Sequence, residues 1–137
     1  MARLAQFMID AKAIEDGEWI RPDEDRFDDL EILTRGYTNK YRDVLSRKLQ
    51  KAAVGFQGKA EKVPSAIRDS IVADAVADYL VLDVRNLVGR DGQPVTIDQF
   101  RALLRDPSCK ELIEACLSAA QLVGRVKEDE TADAVGN

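Results

Sequence analysis

The sequence predicts a mainly α protein: a small helical domain of about four helices, preceded by a short N-terminal β-hairpin or extended segment. Three observations predict it. Apolar residues recur at spacings of three and four from Tyr41 onwards, Thr38, Pro64, Thr96 and Asp106-Pro107 supply helix starts, and only the stretch before Gly36 alternates in the manner of a strand.

Before Gly36, Leu4, Phe7 and Ile9 mark a short strand or helix, Asp16-Gly17 is a turn signal, and Glu18-Trp19-Ile20 is an apolar edge ended by Arg21-Pro22. Leu30, Ile32 and Thr34 then alternate with Glu31, Leu33 and Arg35 over a length that suits a strand. A small hairpin is the expectation. Residues 1–36 therefore read as the extended part of one domain covering 1–125, and 37–125 as its helical part.

The first helix carries Tyr41, Val44, Leu45, Leu49 and Ala52 on one face, with Arg42, Arg47, Lys48 and Lys51 on the others. Thr38 or Asn39 caps it, and Gly55 to Gly58 ends it. The second helix opens at Pro64, whose missing N–H costs nothing in a first turn. Its apolar face runs through Ile67, Ile71, Ala75, Tyr79 and Leu82 and is broadened as far as Leu87, which makes it the most apolar helix expected. Gly89 to Pro94 reads as a tight turn, because placing Gly92 at the glycine position of a calcium loop puts Leu87 and Gly89 where oxygen ligands belong. Thr96 with Gln99 forms a capping box ahead of Phe100, Leu103 and Leu104. The last helix follows Asp106-Pro107, carries Leu112, Ile113, Cys116, Leu117, Ala120 and Val123, and ends near Gly124. The acidic residues 126–137 are expected to be disordered.

Composition narrows the function. The chain has 137 residues, 45% hydrophobic and 33% charged, which suits one globular core. It contains no histidine, so a histidine general base is excluded, and no glycine-rich phosphate motif occurs. No catalysis and no cofactor are expected. Cys109 and Cys116 are seven residues apart, about 10 Å along a helix, too far for a disulfide. Asp69, Asp74, Asp78 and Asp83 form a carboxylate stripe, for which helix solvation is the simpler reading than a metal site, since no second carboxylate helix completes one. No apolar run approaches the roughly 20 residues of a membrane span, and no signal peptide is evident.

Charge is segregated. From Asp10 to Glu31 ten acids stand against Lys12, Arg21 and Arg26, while from Arg35 to Arg68 nine bases stand against Asp43 and Glu61. Such a basic block attracts nucleic acid, but the acidic neighbour weakens its field, so a protein partner is the expectation. The partner-binding residues expected are Arg42, Arg47, Lys48 and Lys51.

The Trp19-containing acidic start, the strand Leu30-Glu31-Ile32-Leu33-Thr34-Arg35 leading into a basic helix, Leu80-Val81-Leu82-Asp83-Val84-Arg85-Asn86-Leu87 with Gly92-Gln93-Pro94-Val95-Thr96, and Leu103-Leu104-Arg105-Asp106-Pro107 come in an order that resembles the tail assembly chaperones of long-tailed bacteriophages and prophages. The resemblance covers about residues 17–125. It implies a chaperone that binds and solubilises the tape measure protein during tail morphogenesis in the cytoplasm of the bacterial host, and that is absent from the finished virion. It also implies contact with the tail tube protein and self-association, the acidic first third and the basic helix being complementary surfaces. A longer form made by −1 frameshifting is a further implication, since Val135-Gly136-Asn137 can be encoded GTG GGA AAC, a slippery run. Gene sequence at those codons tests it. The competing structural reading is a head-to-tail connector or another phage structural adaptor.

Overall fold

The computed structural model describes residues 1–125. A short 3-10 turn at Leu4–Phe7 leads into α1 (Ala11–Asp16), β1 (Glu18–Ile20), α2 (Glu24–Phe27) and β2 (Glu31–Thr34). The long helix α3 (Asn39–Val54) follows, then α4 (Ser65–Ala75), which passes through a π turn at Val76–Leu80 straight into β3 (Val81–Arg85). The chain closes with α5 (Ile97–Leu104), a 3-10 turn at Pro107–Cys109 and α6 (Lys110–Leu122).

Local signals explain most boundaries. The Asp10 carboxylate accepts from the N–H groups of Lys12 and Ala13 and starts α1. The Thr38 hydroxyl accepts from Tyr41 N–H and starts α3. Thr96 and Gln99 form the reciprocal capping box of α5. Gly89 to Pro94 is a tight turn, with Gly89 N–H donating to Gln93 O at 2.9 Å and Gly92 at φ +76°. The expected first hairpin is present: β1 pairs antiparallel with β2, Trp19 opposite Leu33 and Ile20 opposite Ile32.

The expectation of a mainly α domain of about four helices is corrected by β3. This strand pairs antiparallel with the other side of β2, giving a three-stranded sheet in the order β1-β2-β3 and a mixed α/β architecture with six α-helices among the described residues. The continuous helix expected from Pro64 to Leu87 ends at Leu80. A bulge explains why the sequence pattern misleads. Thr34 pairs with Val81 and Leu33 with Asp83, so Leu82 is the extra residue, and Val81 and Val84 both turn inward at a spacing of three. That spacing imitates a helix. The local choice also favours the strand, since Val81 and Val84 are β-branched and the Asp83 carboxylate accepts from Val84 N–H at 2.8 Å.

Carbonyls in and beside the π turn accept from side chains and from β2's flank. Leu80 O accepts from Arg35 N–H and from the Thr34 hydroxyl, while the Arg101 guanidinium donates to Ala77 O and to Val81 O, both at 3.1 Å. Ile20, Ile32, Val81 and Val84 form the inner face of the sheet. Helix α6 lies against it through the fully buried Ala115, Cys116 and Ala119, whose small side chains let helix and sheet approach closely. Phe100 and Leu104 of α5 fill the space beside β3. Helix α3 packs against α4. The residues expected to be disordered, 126–137, lie outside the described residues.

Candidate functional site

Helix α3 is the element on which the expected partner-binding residues sit. At about 100° per residue, Arg47, Lys48 and Lys51 share one arc of its surface and Arg42 lies well away from them. Arg42, Arg47 and Lys51 are exposed and Lys48 is half-buried. None of the four side chains makes an ion pair or hydrogen bond among the described residues. The structure thus splits the expected set into a basic flank and one arginine on a different face.

Arg42 is the more informative residue because it joins two open depressions. One, of 380 Å³, runs along α3 over Leu45, Leu49 and Ala53 towards Ala60. The other, of 560 Å³, runs from Arg42 past Tyr37 and Ile14 to Ile9 and Arg125. The pair, sharing Arg42 and lined by more apolar than polar surface, makes up a shallow trough. Its α3 section from Arg42 to Ala53 is roughly 16 Å long at 1.5 Å per residue, enough for about three turns of a docked helix.

Tyr37, which lines the second depression, packs against the core. Tyr41 is buried and its ring lies 5.8 Å from that of Tyr37, whose hydroxyl donates to Leu117 O at 2.9 Å. Burial pushes the Tyr41 phenol up to about 12 and raises that of Tyr37 as well. Neither phenol ionises at neutral pH. The charged side chains of the lining are Arg42, Glu15 and Arg125.

Periodicity along α3 exposed only part of this. Tyr41, Val44 and Ala53 are buried, whereas Leu45 and Leu49 remain half-buried. An apolar stripe wider than the core contact was the available signal for an outward-facing groove. The carboxylate stripe of α4 has a different fate. Arg105 reaches Asp74 at 2.8 Å and Asp78 at 2.6 Å, Lys110 lies 3.6 Å from Asp69, and Asp83 binds its own backbone. Arg105 and the Asp69–Lys110 pair line a smaller pocket of 170 Å³ over Leu104, Pro107 and Ile113. Cys109 and Cys116 are free thiols, and burial raises the pKa of Cys116. No helix among the described residues is long and apolar enough to cross a membrane.

Comparison with known proteins gives one family. Residues 36–137 match the family described as YdaY prophage protein, a span that contains α3, the α3 section of the trough and all four basic residues. No curated protein and no solved structure matches the chain. The match extends over well more than half of the sequence, and the chain belongs to the YdaY prophage protein family.

Proposed function

We propose that this prophage protein is a tail assembly chaperone that binds and solubilises the tape measure protein in the host cytoplasm and leaves before the virion is complete. The observation that carries the reading is the trough marked by Arg42, whose α3 section over Leu45, Leu49 and Ala53 lies within the segment that matches a prophage family. A long helical partner exposes apolar stripes at i, i+3 and i+4, and a groove of this shape accepts such a stripe. Arg42 selects a stripe with an acid beside it. The basic flank of Arg47, Lys48 and Lys51 adds long-range attraction to acidic stretches of the same partner.

One groove three turns long covers little of a long chain, so several copies engage it at once through individually weak contacts. Weak contacts suit a cover that the tail tube protein later displaces. A frameshifted longer form belongs to the same proposal, and the codons for Val135-Gly136-Asn137 decide it.

Co-expression with the tape measure chain of the same prophage tests the reading. The tape measure protein is expected in the soluble fraction, bound to this protein, and in inclusion bodies when this protein is omitted or carries Arg42→Glu. Proteomics of purified particles should find none of it. An insoluble tape measure chain in its presence, or its retention in particles as a connector would be retained, contradicts the proposal.

A further inference from the structure

The N-terminal arm presents exposed apolar side chains: Leu4 is 75% exposed, Phe7 72%, Met8 50% and Ile9 66%. The arm is nevertheless held at its root. Asp10 N–H donates to Gly124 O at 2.7 Å and Ile9 bridges Arg125 as an antiparallel pair. Ile9 and Arg125 are also the end of the trough, so an exposed apolar segment leaves the body beside an open apolar groove and does not occupy it.

We infer that two copies of this chain pair by exchanging residues 1–9, each arm lying in the α3 trough of the other. Area favours reciprocal exchange. Four apolar side chains burying roughly 100 Å² each, with as much again covered on the receiving groove, give of the order of 800 Å² for one arm. Two arms reach the roughly 1,600 Å² of a stable interface, whereas a single contact falls short. A closed two-fold pair satisfies both copies and leaves no sticky arm free for open-ended growth.

This pairing also gives the trough a cover when its eventual partner is absent. It goes beyond the tape measure reading and does not rest on it, because the experiment uses this chain alone.

Sedimentation equilibrium of the full chain over a wide concentration range is expected to show monomer and dimer in exchange. Leu4→Asp with Phe7→Asp changes exposed residues outside the core, and the circular dichroism spectrum should be unchanged while the dimer Kd rises at least about 100-fold. Ser46→Trp, which obstructs the trough from an exposed position, should do the same. A wild-type protein that stays monomeric, or a dimer that survives either change, overturns the inference.

Discussion

The guanidinium of Arg85 lies 4.1 Å from the centre of the Trp19 ring. The two residues come from opposite edges of the sheet, and Arg85 also donates to Glu31 on the strand between them at 2.7 Å. This cation–π contact sits on the outer face of the sheet and ties the N-terminal hairpin to the strand that enters it last. A double-mutant cycle with Trp19→Leu and Arg85→Met is expected to give a coupling of about 0.5–1 kcal/mol by chemical denaturation. Strict additivity would remove Trp19 from the account of sheet assembly.

Gly17 and Leu82 make the bulge specific. Gly17 has φ +98°, and a Cβ there would stand 2.6 Å from Leu82 Cδ1. Gly17→Ala combines backbone strain with a clash against the extra residue of β3, so a loss of about 2 kcal/mol is expected. Pairing it with Leu82→Ala should recover part of that loss, which thermal denaturation of the three variants measures.

Arg101 holds the junction between π turn and strand by donating to Ala77 O and Val81 O. Removing both donors leaves two carbonyls of buried residues without those partners. Arg101→Met should cost about 2–3 kcal/mol, and Arg101→Lys nearly as much, because an ammonium cannot span both carbonyls as the planar fork does. A change below about 0.5 kcal/mol for both variants would show that the π turn holds itself.

Alkaline pH should reveal Tyr41. Its folded pKa is raised to about 12 by burial, while the unfolded chain ionises near 10. Stability is therefore intact below pH 10 and falls between about 10 and 12 as the unfolded state loses a proton that the folded state keeps, at about 1.4 kcal/mol per pH unit. Tyr41→Phe should make that limb less steep, as urea midpoints measured from pH 9 to 12 would show. An unchanged slope would place the ionisation elsewhere.

The parts of the fold legible in the sequence are those decided by local chemistry. Thr38, Thr96 with Gln99, and Asp106 set helix starts through hydrogen bonds to residues two or three positions on. The alternation of Leu30, Ile32 and Thr34 exposed β2 because a flat strand buries every second residue. Strand β3 was hidden because its partner lies some fifty residues away, and its bulge sets Val81 and Val84 at helical spacing. The trough was hidden for a related reason. Whether Leu45 and Leu49 meet the core or open space depends on where Gly58 and Ala60 return along α3, and that path is written in no single segment.

The basic residues of α3 were legible as exposed charge but not as a constellation. Arg42, Arg47, Lys48 and Lys51 look alike in composition, and only the helix geometry separates the arginine in the trough from the three on the flank.

Hydrogen exchange of the protein alone and after co-expression with the tape measure chain of the same prophage tests the proposed chaperone role most directly. Binding in the trough should slow exchange across residues 42–53 and at residues 58–60, and leave the outer sheet face around Trp19 and Arg85 unchanged. Protection confined to the outer sheet face, or none anywhere while the two proteins remain bound, would contradict it.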